Sequence, residues 1–332
     1  MDQPVEDVER EPFEADRPIQ TADQDRFGRE EFSTRIAQVI VGRRDASSLV
    51  VGIYAPWGDG KTSVLNMIVK ELEAHEERII VVRFNPWRFQ SESHLLKNFF
   101  EVLADRLGKS LTTRGEKVSK FFREYADVLT PISLLGVNAA ETVKSLTNLR
   151  PEADLEKLKS RLEEALAEAN QHVVIVMDDI DRLDKDEVQA VFKLVKLSAD
   201  FPNAVYILAF DEEMVAHALK EKYGSLEAGR NYIEKIVQVP LHLPPAHKYA
   251  LRSITFEGVD TAVKLAGLDP SEEQAQRFVN IFDLSFQSHL KTPRLAKRYV
   301  NGLTFALPLL KGEIDPVDLM IIEAIRVLVL YR

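Results

Sequence analysis

The sequence contains no cysteine, and only seven histidines are scattered along its 332 residues. The lack of cysteine excludes a disulfide framework, a thiolate metal site and cysteine catalysis. The histidines show no metal-ligand spacing. A chain without disulfides fits a reducing compartment, so we expect a cytoplasmic protein.

The chain also lacks a segment that predicts membrane insertion. The uncharged stretch that most resembles one, residues 128–140, has 13 residues and includes Pro, Ser, Thr and Asn. A bilayer span needs about 20 mainly apolar residues. The N-terminus has no basic segment followed by an apolar one, as a signal peptide would. We therefore expect no membrane span in this sequence.

Positive charge is in deficit, with a formal net charge of −10. This balance argues against a broad nucleic-acid-binding face. Residues 1–25 hold nine acidic and two basic side chains, and such a segment buries too little apolar surface to offset its ordering entropy. We expect residues 1–25 to form an acidic N-terminal tail that is mobile or folds only against another surface.

Residues 50–63, VVGIYAPWGDGKTS, contain the first strong motif. An apolar run is followed by a turn with two glycines, then Lys-Thr and a helical pattern, which is the order of a P-loop. Lys61 would reach the β- and γ-phosphates, and the Thr62 hydroxyl would ligate Mg²⁺. Ala55 stands where the first glycine of the motif is usual. The predicted phosphate-binding residues are Pro56, Trp57, Gly58, Asp59, Gly60, Lys61, Thr62 and Ser63.

Residues 173–182, VVIVMDDIDR, form the second chemical centre. Five apolar residues predict a buried parallel strand, and two carboxylates follow at its carboxyl end in a Walker B arrangement. We predict that Asp178 holds Mg²⁺ and that Asp179 polarises the attacking water. Arg182 either pairs with one of these aspartates or faces a neighbouring subunit, and the local ion pair is the simpler interpretation.

Four further residues lie where a P-loop protein can contact its nucleotide. Phe27 and Arg29 precede the P-loop strand and are candidates for the base or sugar pocket, although a packing helix explains them equally well. Asn85 follows the strand at residues 79–84 and could contact the attacking water or orient an acidic partner, while Trp87 beside it is expected in the core. Asp211 follows the strand at residues 204–210, where a γ-phosphate sensor is expected.

Two arginines are candidates for contacts with the terminal phosphate. Arg230 lies between the fourth and fifth predicted strands and could act on a neighbouring subunit, but a plain surface role is the stronger interpretation. Arg294 lies in the first turn of a helix that Thr292 and Pro293 begin. It either reaches the γ-phosphate or forms a salt bridge. Another helix begins at Asp315-Pro316 and stays apolar to the last residue without a C-cap signal. We expect either that the natural protein continues or that this helix is a surface for a partner protein or a second copy.

Strands and helices alternate through the middle of the chain. The predicted strands are residues 50–54, 79–84, 173–177, 204–210 and 236–243, which predicts a three-layer α/β P-loop sandwich with a five-stranded parallel sheet. We assign residues 26–243 to this domain, with a helical insert at about residues 92–170. Residues 244–332 are predicted to form a C-terminal helical lid subdomain.

With these motifs in order, the sequence resembles the KAP family of P-loop NTPases. The resemblance covers about residues 26–332 and includes APWGDGKTS, FNPWRF, VMDDIDRL, ILAFDEEMV and TPRLAKRYVN. It implies an ATPase of the additional-strand class, related to AAA+ and STAND proteins. Many family members carry transmembrane helices between the two Walker motifs, but the corresponding interval here is too short and polar.

The leading functional hypothesis is Mg²⁺-dependent ATP hydrolysis that drives a conformational or assembly switch. The resemblance adds phage defence as an expectation. The alternative is a nucleotide-gated scaffold that binds ATP with little turnover and acts through a partner protein. A phosphotransferase ranks below both, because no second substrate pocket is evident in the sequence.

Overall fold

The computed structural model describes residues 17–88, 92–110, 171–198 and 201–330, with single helical residues at 123, 160 and 164. Residues 1–16 of the predicted tail and much of the predicted helical insert at about residues 92–170 lie outside these ranges.

All five strands run parallel in one sheet, in the order β2-β3-β4-β1-β5. The predicted parallel sheet is therefore confirmed. Buried runs rich in Val and Ile form the central strands, as expected for strands covered on both faces. Among the described strands, β5 pairs with β1 alone and lies at the edge of the sheet, which explains how it accommodates Pro240. The strands are β1 Leu49–Tyr54, β2 Ile79–Phe84, β3 His172–Met177, β4 Ala204–Phe210 and β5 Val239–His242.

Helices cover both faces of this sheet and make the predicted three layers. Alternate residues along each strand belong to two separate hydrophobic clusters, one on each face. α1 and α2 pack on one face, and α3 to α6 pack on the other. These helices are α1 Glu30–Val41, α2 Lys61–Glu73, α3 Glu92–Ser110, α4 Lys185–Ser198, α5 Glu212–Tyr223 and α6 Leu226–Glu234.

The helices that follow β5 have a hydrophobic cluster of their own. Phe282 and Tyr299 lie fully buried at its centre. Thr292 and Asp315 cap the last two α-helices with their side chains, and a proline follows each cap, as the sequence predicts. The helices are α7 Lys248–Leu265, α8 Glu272–Ser285, α9 Pro293–Leu309 and α10 Pro316–Ala324.

The structure corrects several details of the sequence analysis. Trp87 is not in the core, because 57% of its surface is exposed. β5 is shorter than the predicted strand at 236–243, and α10 gives way to a π-helix over Ile325–Leu330. Within the predicted tail, Ile19 contacts α2: its backbone N–H donates to Ser63 Oγ, and its carbonyl accepts a hydrogen bond from Asn66.

Candidate active site

The loop between β1 and α2 has the backbone geometry of a phosphate cradle. Gly58 and Gly60 adopt φ values of 85° and 94°, in the left-handed region that favours glycine. Gly60 is also the N-cap of α2 and provides no side-chain hydrogen bond to it. The first backbone N–H groups of α2 therefore lack a side-chain cap, which leaves them suited to an anion.

Lys61 begins α2 and points into the base of the site. Its ammonium group is 2.8 Å from Asp181 Oδ2 and 3.0 Å from the Ala55 carbonyl oxygen. A longer contact of 3.4 Å joins it to the Pro56 carbonyl. The side chains of Lys61 and Asp181 are 8% and 2% exposed, so this ion pair is buried.

The two Walker B carboxylates lie at the carboxyl end of β3, beside α2. Asp178 is hydrogen-bonded to the Thr62 hydroxyl and accepts a hydrogen bond from the backbone N–H of Asp179 at 2.8 Å. Burial is the largest influence on Asp178 and raises its pKa, and the neighbouring Asp179 carboxylate acts in the same direction. Asp179 has a left-handed backbone with φ of 59°, and its carboxylate pairs with Arg182 at 2.7 Å. The simpler interpretation of Arg182, a local ion pair, is confirmed.

The donor set around Thr62 and Asp178 fits a magnesium ion. A hydroxyl and a carboxylate are hard oxygen ligands, and Mg²⁺ in nucleotide sites typically uses one or two such protein groups together with phosphates and waters. A cation there would also offset the burial of the Asp178 carboxylate. Within the described ranges, three or more His, Asp or Glu side chains do not come together as an all-protein metal site.

A second buried ion pair holds the P-loop from the N-terminal side. Arg29 is only 3% exposed and bonds both the carboxylate and the backbone carbonyl of Asp59. It also donates to the Pro244 carbonyl at 3.1 Å. Burial raises the pKa of Asp59, although the Arg29 charge opposes this shift. Arg29 therefore joins the P-loop to the segment that leads into the helical subdomain.

Helix α9 also contacts the P-loop. The guanidinium of Arg294 lies 4.0 Å from the centre of the Trp57 ring, a cation–π distance. The backbone N–H of Arg294 donates to the Gly58 carbonyl at 3.4 Å. The first turn of α9 is thus in direct contact with the P-loop.

These groups line one cavity of about 430 Å³. The P-loop and the Walker B loop form one part of its wall, α9 forms another, and residues 17–27 close it. The predicted residues in its lining are Phe27, Arg29, Trp57, Gly58, Gly60, Lys61, Thr62, Ser63, Asp178, Asp179 and Arg294.

Five predicted site residues do not line this cavity. The carbonyl of Pro56 and the side chain of Asp59 are used inside the P-loop. Asn85 accepts a hydrogen bond from the backbone N–H of Trp87. Asp211 caps α5. Arg230 pairs with Glu213. The catalytic roles suggested for Asn85 and Arg230 therefore stay predictions without a contact to the cavity.

Several lining residues were not anticipated. Asp181 lies within the Walker B segment, but the sequence pattern assigns it no role of its own. Lys297 lies one turn after Arg294 on α9, a spacing that could have suggested it. The apolar lining residues Ile19, Met67 and Ile254 come from three distant segments and have no sequence pattern of their own.

A parallel sheet with a glycine loop after one strand, at a helix start, and paired carboxylates at the carboxyl end of another strand defines a P-loop NTPase domain. The KAP family P-loop domain matches residues 29–310. The chain therefore belongs to the KAP family, as the sequence motifs predict.

Comparison with individual proteins gives more distant similarities. The chain is 25% identical over 342 residues to the phage T7 exclusion protein of Escherichia coli K12. The aligned region covers 94% of this chain and 46% of that protein, so the chain spans less than half the length of this relative.

The similar solved structures include the Aeropyrum pernix ORC1 protein in complex with DNA, at 16% identity and a TM-score of 0.41. The match covers 90% of this chain and 66% of the ORC1 chain. A RuvB variant of Thermotoga maritima matches at 14% identity and a TM-score of 0.37, with 93% and 72% of the two chains covered. Such low similarity says nothing about what this chain binds.

Across the described ranges, the helices are either too short or too polar to cross a bilayer.

Proposed function

We propose that this chain binds ATP together with Mg²⁺ in the cavity, hydrolyses it, and uses the turnover to switch conformation or assembly. One observation carries the proposal: the P-loop, both Walker B carboxylates and Arg294 line the same cavity. In a P-loop NTPase these are the parts that position the phosphates and neutralise the charge of the transition state.

The residues divide the reaction between them. The backbone of the P-loop and Lys61 bind the phosphates, and Thr62 with Asp178 would hold Mg²⁺, which supplies charge neutralisation at the phosphate oxygens. Asp179 orients a water toward the γ-phosphorus and accepts its proton. The new bond forms between this water oxygen and phosphorus while the bond to the β-phosphate oxygen breaks, which gives ADP and inorganic phosphate. Arg294 stabilises negative charge from the side of α9.

A switch follows from the position of α9. Arg294 belongs to the helical subdomain, while its contacts with Trp57 and Gly58 are on the P-loop. Loss of the γ-phosphate would change these contacts and thereby the position of the helical subdomain relative to the P-loop. The similarity to a phage exclusion protein supports a role of this switch in phage defence.

The alternative is a nucleotide-gated scaffold that binds ATP with little turnover. Two contacts favour it, because Lys61 is paired with Asp181 and Asp179 is paired with Arg182. Both predicted catalytic groups are thus engaged inside the protein. A scaffold would act through a partner protein, and the apolar C-terminal helix is the proposed contact surface.

Mg²⁺-ATP turnover and binding of the wild type, Lys61→Ala and Asp179→Asn test these proposals. Lys264→Ala and Asp260→Asn are matched controls, since both are exposed on α7. We expect Lys61→Ala to lose binding, and Asp179→Asn to bind ATP but to turn over roughly 10²–10⁴-fold more slowly.

Light-scattering mass, measured on the same samples with and without ATP, reports assembly. A mass increase that depends on ATP supports an assembling ATPase. If the wild type binds ATP without turnover, the ATPase proposal fails and the scaffold proposal remains. If the wild type binds no ATP, both proposals fail.

A further inference from the structure

The ammonium group of Lys61 has three N–H donors, and the structure provides three acceptors for them. These are Asp181 Oδ2 at 2.8 Å, the Ala55 carbonyl at 3.0 Å and the Pro56 carbonyl at 3.4 Å. The two carbonyls belong to the P-loop itself. The charged partner, Asp181, comes from the Walker B segment. A phosphate that binds Lys61 must therefore replace at least one of these contacts.

Asp181 is held firmly in this position. Its side chain is 2% exposed, and the same Oδ2 atom accepts a hydrogen bond from the backbone N–H of Asp211 at 3.2 Å. One carboxylate oxygen thus connects the ends of β3 and β4 to the first residue of α2. Residues Ile180–Arg182 form a 3-10 turn, so Asp181 is carried by a short structured loop.

A carboxylate oxygen and a phosphate oxygen are equivalent acceptors for an ammonium group. We propose that Asp181 is a positioning residue that competes with the nucleotide's phosphate for Lys61 and so sets nucleotide affinity. The inference rests on the proposed nucleotide site and adds a residue to which the sequence assigns no role. Phosphate binding displaces the carboxylate from Lys61, and nucleotide release restores the pair.

The same turn carries a second ion pair of the site. Arg182, the next residue, pairs with Asp179 at 2.7 Å.

The substitution Asp181→Asn keeps the shape of the side chain and removes its charge. Lys61 then stays buried without a charged partner in the unloaded protein, which is unfavourable, and a bound phosphate restores one. We expect Mg²⁺-ADP and Mg²⁺-ATP to bind at least tenfold tighter, equivalent to about 1.4 kcal/mol. Adenosine, which has no phosphate, is expected to bind as it does to the wild type.

Isothermal titration calorimetry with ADP, ATP and adenosine measures this difference, with Asp260→Asn as the control. Unchanged or weaker ADP binding by Asp181→Asn, with normal binding by the wild type, overturns this inference alone. A wild type that binds neither ADP nor ATP overturns the proposed function as well.

A measurement on the wild type covers the case in which Asp181→Asn does not fold. The Asp211 amide donates to the displaced carboxylate, so its hydrogen exchange should become faster when Mg²⁺-ADP binds. A purely structural Asp181 would leave this exchange unchanged or slower, which would contradict the proposal.

Discussion

The two buried ion pairs of the P-loop differ in what they hold together. Arg29–Asp59 joins the loop to the N-terminal segment and, through the Pro244 carbonyl, to the start of the helical subdomain. Lys61–Asp181 joins the loop to the Walker B segment. Arg29 and Asp59 hold the cradle in shape, whereas Lys61 and Asp181 occupy the positions that the nucleotide is proposed to use.

The chemistry of the two cations matches this difference. Guanidinium has five donors in a rigid planar fork, and Arg29 uses it to bond one carboxylate and two backbone carbonyls at once. Ammonium is a compact charge whose donors rotate, so Lys61 can exchange one oxygen partner for another. Disruption of the first pair should affect folding most, and disruption of the second should affect ligand affinity most.

The largest effect is expected for Arg29→Ala. The substitution leaves the Asp59 carboxylate buried without its partner and two carbonyls without their donor, which is typically unfavourable by about 3–5 kcal/mol. Urea unfolding of the unloaded protein measures the loss in the free energy of unfolding.

Arg35→Ala is the matched control on α1. Arg35 pairs with Glu31 one turn away, and both side chains are about three-quarters exposed. Such pairs contribute about 0.3–0.5 kcal/mol. Equal losses for Arg29→Ala and Arg35→Ala would show that the buried pair does not hold the P-loop.

A smaller effect is expected for Gly58→Ala, which tests the contact of α9 with the cradle. Gly58 has φ of 85°, and a Cβ atom there would lie 2.9 Å from the Cβ of Arg294. The first turn of α9 has to move, because this contact involves the root of the side chain. Turnover should fall at least tenfold, and unfolding by urea should show a loss of stability.

Gly28→Ala separates backbone strain from this clash. Gly28 also has a positive φ, of 69°, but a Cβ there would meet nothing within 4 Å. Both substitutions strain the backbone by about 1–2 kcal/mol, and Gly58→Ala should lose about 1 kcal/mol more through crowding. Indistinguishable stability and turnover of the two variants would argue against a close contact between α9 and the P-loop.

Much of this arrangement could be predicted from the sequence. The bounds of β2 and β4 agree with prediction because each is an uninterrupted apolar run that ends at a polar residue. The contact between Thr62 and Asp178 could also be predicted, because the P-loop and the Walker B motif both lie at the carboxyl edge of one parallel sheet. Their chemical roles stay predictions.

The rest depends on tertiary contacts that local sequence does not determine. From the sequence, any of Asp178, Asp179 and Asp181 could pair with Lys61. The 3-10 turn after β3 places Asp181 in that contact. Trp87 was predicted in the core from the average burial of tryptophan, but it follows the strand end and is mostly exposed. Ile254 reaches the cavity from α7, far along the chain.

The smallest effect, and one of opposite sign, is expected for Asp178→Asn in the unloaded protein. Burial raises the pKa of Asp178, so the folded protein binds this proton more tightly than the unfolded chain does. The stabilising contribution of the protonated form is present at acidic pH and is lost as the pH rises through the raised pKa. At neutral pH the ionised carboxylate therefore lowers stability, and asparagine removes that charge.

Thermal unfolding without ligand, followed from pH 7 to acidic pH, measures this effect. We expect Asp178→Asn to unfold at a higher temperature than the wild type at pH 7, because asparagine removes the buried charge. The difference should shrink as the pH falls below the raised pKa and disappear below the ordinary carboxyl pKa of the unfolded chain. Asp260→Asn on the exposed face of α7 should show no difference. With Mg²⁺-ATP the order should reverse, because the variant has lost a proposed metal ligand and gains less from binding. A variant less stable than the wild type at pH 7 would mean that the hydrogen bonds from Thr62 and the Asp179 backbone outweigh the burial of the charge, and that this carboxylate belongs with the structural contacts of the site.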